Sequence, residues 1–376
     1  MKTIRIGVPQ SGYPIERNIP QIPGFRQIRP WEYHRLRTAF SFRFKGKLDQ
    51  FHQFSFSAPY FPSVDFLHFF NSISSSKTPW FTTYESIIPR WWNERSKEEL
   101  HIGVDRLIGN PCRGLIAFSN ATERVVQHFF ETNGLQSEWH SLAAKRHVLL
   151  PPQPVFPERP REDNVVRFCF IGNDFYRKGG AEVVGAFYKL FETGKKNWRL
   201  TIVGDLRSWG DYASATTEAD EFRTRFNLSQ MSSLVTHHTK LPHPNVLSIL
   251  QESHYLLIPT FHDTFGYVVL EAMAAGCVPI TTKTRVFPEI ICHGMNGFML
   301  DVPTNQVGDV LRSATSPEEK QKLTHELLNL LELIVEQELK KWSELSAACR
   351  MHIQSHHNPI RFQDKLEFIY RSGLGI

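Results

Sequence analysis

Five prolines fall between His147 and Asp163, at 151, 152, 154, 157 and 160 in the run HVLLPPQPVFPERPRED. Proline lacks an amide hydrogen and holds φ at about −65°, so neither a helix nor a central strand can run through such a stretch. A chain of 376 residues is also long for a single core. The run is therefore an extended connection, and the chain is expected to form two bodies joined near residue 155.

On both sides of this break, apolar strand runs alternate with amphipathic helical runs. Before it come Ile4 to Val8, VDFLHFF at 64 to 70 and WFTTYES at 80 to 86. GLIAFSNATERVVQHFF at 114 to 130 then reads as strand, turn and helix, capped by Ser119 or Asn120. The run FSFRFKGKLDQFHQFSFS at 40 to 57 alternates Phe with polar residues and is predicted as strand. After the break, VVRFCFIGN is a strand ending in a glycine turn. AEVVGAFYKLFETG follows as a helix with Val183, Val184, Phe187, Leu190 and Phe191 on one side. WRLTIVGD, a strand near 234 to 237, a helix near 244 to 253 and a buried strand at 254 to 259 continue the series. Strands alternating with helices predict an α/β protein with parallel sheets, whose ligands gather at the carboxyl ends of the strands. In the first half that rule singles out Tyr84, Glu85 and Ser86.

The most informative stretch of the second half is HDTFGYVVLEAMAAGCVP, 262 to 279. Val268, Val269, Leu270, Met273 and Ala274 are spaced for a helix buried on most faces, and Thr264 and Gly266 are natural start residues. The helix is predicted to begin between Asp263 and Tyr267. The helix-start amides near Phe265 and Gly266, with the positive end of the helix dipole, are expected to make an anion site suited to phosphate. At about 1.5 Å per residue, Glu271 lies roughly 12 Å beyond Asp263, the length of a sugar joined to a nucleoside diphosphate. The two acids can bracket one such ligand, Asp263 accepting from sugar hydroxyls and Glu271 from ribose hydroxyls.

Two acids with seven residues between them resemble the signature of the retaining nucleotide-sugar glycosyltransferases of family 4. The resemblance is strong over about 165 to 305 and architectural before that. The family's first acid is usually Glu; here it is Asp263, one methylene shorter. Members commonly have Gly, Arg, four residues, then Lys-Gly, and this chain has Gly172, Asn173, DFYR, Lys178, Gly179. The resemblance implies Lys178 as the main phosphate cation, with Arg177 standing in for the family arginine replaced by Asn173. It places the nucleotide base against Val235 and Thr236, and Glu85 where many members carry a cleft histidine. The implied fold is α/β of the GT-B type, two Rossmann-like doubly wound domains facing a cleft. Residues 1–155 would take the acceptor, 156–340 the nucleotide-sugar donor, and the helices of 341–376 would cross back onto the first domain.

The implied activity is transfer of a sugar, with retention, from a nucleotide diphosphate donor to a glycan or lipid-linked acceptor, as in polysaccharide synthesis. The nucleotide sugar is a co-substrate, and no metal or other cofactor is expected. A nucleotide-sugar-binding protein without turnover and an epimerase of the same fold are the alternatives. His237, His238 and His243 have no carboxylate pattern around them and read as surface or cap histidines rather than metal ligands. No Walker loop and no dinucleotide GxGxxG occur.

Composition sets wider bounds. Five scattered cysteines, at 112, 169, 277, 292 and 349, suit a reducing cytoplasm, and the first residues read as a strand rather than a signal peptide. No run approaches the roughly 18 apolar residues of a membrane span. Residues 1 to 160 hold 20 Lys and Arg against 13 Asp and Glu, a basic half able to meet an anionic acceptor or the inner membrane surface. Without a binding motif, nucleic acid is not expected as a partner.

Overall fold

The computed structural model describes residues 3–32, 36, 39–40, 42–44, 46, 54–57, 60–88, 97–158, 165–209, 216–337 and 341–376. Residues 149–158, inside the proline run, carry neither helix nor strand. The chain divides there into one unit of Met1–Pro152 with His357–Ile376 and a second of Gln153–His356.

The first unit is built on six parallel strands in the spatial order Arg146–Val148, Cys112–Ala117, Trp80–Tyr84, Phe66–Phe70, Ile4–Gly7 and Phe25–Ile28. Successive side chains of a strand point to opposite faces. One face accordingly takes Phe69, Trp80, Tyr84, Leu115 and Ala117, and the other takes Phe66, Phe81 and Ile116. Both faces are covered at the centre of the sheet, so Phe66–Phe70 and Trp80–Tyr84 are buried at every position. The last helix, Pro359–Leu374, closes the second face with Phe362, Leu366, Ile369 and Tyr370. The Tyr370 hydroxyl sits 2.5 Å from His68 Nδ1, and His68 Nε2 lies 2.8 Å from Thr83 Oγ1. Burial holds His68 neutral, its pKa pushed down to about 3. A polar pin of this kind fixes the register of a helix whose apolar contacts alone would allow sliding.

The second unit has a parallel sheet in the order Val235–His238, Trp198–Asp205, Val166–Asp174, Tyr255–Ile258, Val278–Thr282 and Phe298–Leu300. Numbered along the chain this is 3-2-1-4-5-6, the doubly wound order of dinucleotide-binding folds. The order reverses between Val166–Asp174 and Tyr255–Ile258, so the carboxyl ends of these two strands frame the place where such sheets bind ligands. Helices Gly180–Glu192 and Tyr267–Ala275 leave from that place.

Two expectations are corrected. Of the 341–376 segment expected on the first unit, the helix Trp342–His356 belongs to the second instead. Arg350 donates to the carbonyls of Phe156 and Ala275, at 2.7 and 2.9 Å, and Cys349 to that of Asn296, so this helix is tied to its own unit. The Phe-alternating run is not one strand. Residues 42–44 are helical and only Ser55–Phe56 is strand, while 41, 45 and 47–53 lie outside the described residues. Alternation signals a strand only where one face is buried, and Phe40, Phe42 and Phe44 are all exposed.

Candidate functional site

At the end of Val166–Asp174 the strand register slips between Ile171 and Asp174, and the chain turns over Gly172 toward Lys178. A Cβ on Gly172 would come within 3.0 Å of the Lys178 stem, so glycine here lets the lysine lie across the strand end. Lys178 N donates to Asp174 O at 2.9 Å, and Gly179, left-handed with φ 79°, opens the helix Gly180–Glu192.

The loop after Tyr255–Ile258 is stitched to this turn. Phe261 N donates to Arg177 O at 2.9 Å, and the Thr260 hydroxyl donates to His262 O at 2.8 Å. His262 O also receives Arg177 Nη1 at 2.7 Å and Lys178 Nζ at 3.3 Å. The central contact is an ion pair: Lys178 Nζ stands 2.6 Å from Asp263 Oδ2, and both side chains are largely buried. Burial alone would raise the Asp263 carboxyl, but the Lys178 ammonium, with Arg177 nearby, holds it below the usual aspartate value. Arg177 makes a second ion pair with Asp174, which burial would raise and the guanidinium lowers. His262 is kept neutral, its pKa pushed down to about 4 by burial and the Arg285 and Arg177 charges.

Beyond Asp263, Gly266 caps the helix Tyr267–Ala275 in the left-handed conformation and supplies no side-chain cap. Its start lies inside the span expected from sequence, with Gly266 rather than Thr264 as the cap. A Cβ on Gly266 would run into the Phe287 ring, so the loop packs to backbone distance there. Glu271 lies farther along this helix, 5% exposed, and its Oε1 is 3.0 Å from His243 Nε2.

The structure thus gathers Gly172, Arg177, Lys178, Asp263, Phe265 and Gly266 at the switch point, with Phe265 fully buried beneath the helix start. Asn173 is exposed at the strand end. Val235 and Thr236 are not at the carboxyl end of their strand. They pair with Leu200 and Thr201 at its foot, whereas His237 and His238 stand at the top, His237 Nε2 2.8 Å from Gly204 O. In the first unit, Glu85 follows Trp80–Tyr84 at the sheet's carboxyl edge, its amide donating to Asn71 Oδ1 at 3.1 Å. The neighbouring Tyr84 is fully buried, and its hydroxyl donates to Glu123 at 2.6 Å. Sequence reasoning missed the Asp174–Arg177 pair and the contact of Glu271 with His243, a residue read from sequence as a surface or cap histidine. The first had a signal, an acid three residues before Arg177 on a turn; the second had none, because the two residues lie 28 positions apart.

Residues 154–327 match the protein family described as glycosyl transferases group 1. A curated D-inositol 3-phosphate glycosyltransferase of Pseudarthrobacter chlorophenolicus is 24% identical over 206 residues, 53% of this chain and 46% of that protein. The chain spans less than half the length of each curated relative it matches. Among solved structures, the sucrose-phosphate synthase of Thermosynechococcus elongatus superposes with a TM-score of 0.58 at 16% identity, covering 99% of this chain and 88% of that one. Anabaena HepE, solved with UDP and glucose, gives 0.55 at 14% identity over 82% and 78%.

Proposed function

We propose that this chain, a GT-B protein carrying a group 1 glycosyl transferase domain at residues 154–327, moves a sugar from a nucleotide diphosphate donor to an acceptor hydroxyl with retention. The observation that carries the reading is the Lys178–Asp263 ion pair at the switch point, beside a helix start without a side-chain cap. A diphosphate laid against the Gly266 amides draws the Lys178 ammonium toward it and leaves Asp263 to the sugar hydroxyls. Negative charge grows on the diphosphate as the sugar–oxygen bond breaks. Lys178, the helix amides and Arg177 stabilise it. The acceptor hydroxyl enters on the face the diphosphate leaves. Glu271 takes the ribose.

A uridine diphosphate sugar is the first donor to test, because HepE was solved with UDP and glucose. A ligand that binds the folded state raises its melting temperature, by RT ln(1 + [L]/Kd) in free energy. Nucleotide diphosphate sugars screened this way should give one clear stabiliser, and Glu271→Ala should cut that shift while leaving the unliganded melting temperature within a few degrees. No stabiliser in the whole series would end the donor reading.

The first unit is assigned the acceptor, a glycan or a lipid-linked one, with Glu85 orienting its hydroxyl or taking its proton. No described helix is long and apolar enough to cross a membrane. Leu36, Phe40, Phe42 and Phe44 are nonetheless exposed in a run, 35 to 47, with five Lys and Arg and no acid. Basic aromatic segments of this kind seat in anionic lipid surfaces. Co-flotation with vesicles containing phosphatidylglycerol, lost at high salt and absent with phosphatidylcholine alone, is the expected result; equal behaviour with both removes the membrane from the proposal.

A binding protein without turnover is the second reading, because Asn173, Asp263 and Glu85 all depart from the usual family pattern. Tight nucleotide binding with no donor hydrolysis or transfer to any acceptor decides for it.

A further inference from the structure

We infer that His243 is a positioning residue for the nucleotide end of the donor, its imidazole fixing the carboxylate of Glu271. The inference rests on the donor reading above and extends it to a residue on a different element. Glu271 is buried in a helix among Val269, Leu270, Ala272 and Met273. A carboxylate in such surroundings keeps one orientation only when donors hold it. His243 Nε2, 3.0 Å from Oε1, is such a donor.

The chain delivers this donor by a rigid route. The edge strand Val235–His238 ends at the carboxyl side of the sheet, and a short loop leads to Pro242. Pro242 caps the helix His243–Glu252, its carbonyl receiving the amides of Asn245 and Val246 at 3.0 and 3.2 Å. His243 is therefore the first residue of a helix whose direction is set by a proline and whose Leu250 is buried in the unit. The two side chains differ in access. The Glu271 side chain is 7% exposed and that of His243 47%, so the imidazole borders solvent where the carboxylate does not. Accepting hydrogen bonds from two neighbouring ribose hydroxyls requires the carboxylate plane to be set beforehand, and a fixed partner behind it performs that task. Lys178 and Asp263 belong to the other end of the site, so the two ends can be tested separately.

The probes are UDP and inorganic pyrophosphate, titrated calorimetrically into the full-length protein and its H243A, H243Q and E271Q variants. Losing a hydrogen bond to a charged group corresponds to about a tenfold loss of affinity or more. H243A should therefore bind UDP about tenfold more weakly and pyrophosphate as the wild type does. H243Q keeps an N–H donor of similar reach and should recover most of the loss. With donor and acceptor in hand, H243A should raise the donor KM by a similar factor and leave kcat within about twofold. UDP affinity unchanged in H243A while E271Q weakens it overturns this inference alone. A parallel loss of UDP and pyrophosphate in H243A also overturns it, because it marks general damage to the fold. Absence of nucleotide binding in the wild type takes the donor reading down, and the inference with it.

Discussion

Lys178→Ala is expected to lower turnover by about two to three orders of magnitude, the usual cost of removing one preorganised donor from a site of developing charge. Two losses combine in this variant. The departing diphosphate loses its nearest ammonium, and Asp263 loses the partner that holds its carboxyl below the ordinary aspartate value, so a buried carboxylate is left with less compensation. Donor affinity should fall much less than turnover, because the helix amides at Gly266 and the Glu271 carboxylate remain. Lys178→Arg is an informative companion. It keeps the charge but replaces a compact ammonium by a planar fork of different hydrogen-bond geometry, so only partial recovery is expected. Initial rates with saturating donor measure both variants. Near-normal turnover in Lys178→Ala would show that the diphosphate is held elsewhere.

Gly179→Ala should destabilise the second unit by about 3 kcal/mol or more, a large part of the roughly 10 kcal/mol that holds an ordinary domain together. The residue is left-handed at φ 79°, which costs an L side chain about 1 kcal/mol or more. The added Cβ would also meet the carbonyl and ring of Pro259, which belong to the backbone just past a central strand and cannot swing away. Gly194 supplies the control. Its φ is 83° but nothing lies within 4 Å of its Cβ position, so Gly194→Ala should show the backbone cost alone. Denaturant midpoints at constant slope separate the two. Equal, mild effects at both positions would mean that the turn carrying Lys178 is not packed on Pro259 as described. Because Lys178 precedes Gly179, turnover should fall together with stability.

These two variants probe different kinds of information in the chain. The alternation of apolar strands and amphipathic helices is local, and it announced a parallel α/β protein in two units on either side of the proline run. The helix from Tyr267 was equally legible, because Gly266 before it and the small residues Ala272, Ala274, Ala275 and Gly276 mark a buried element and its ends. Family spacing pointed to Lys178 and Asp263 one at a time. Their contact joins residues 85 positions apart, and no periodicity encodes it. Only the doubly wound order of strands brings the two loops together.

The resemblance names Val235 and Thr236 for the nucleotide base, and the register against Leu200 and Thr201 sets them at the foot of their strand, which no local pattern encodes. Two other readings failed for reasons of the same sort. The alternating phenylalanines near Phe42 mimic a strand because period two is informative only when one face is covered. The resemblance puts the helix Trp342–His356 on the first unit with the rest of 341–376, whereas it belongs to the second; an apolar helix face does not name the surface that receives it.

Local pattern was enough to say what most segments are: strand or helix, where a glycine must turn, which residues carry charge suited to a sugar diphosphate. Tertiary structure alone decided which of those charges meet. It set Lys178 against Asp263, tied Arg177 to Asp174, and gave Glu271 a histidine from another helix. The physical reason is range. Backbone preference and hydrophobic period act over a few residues, whereas an ion pair acts over a few ångströms, and only a folded sheet converts one distance into the other.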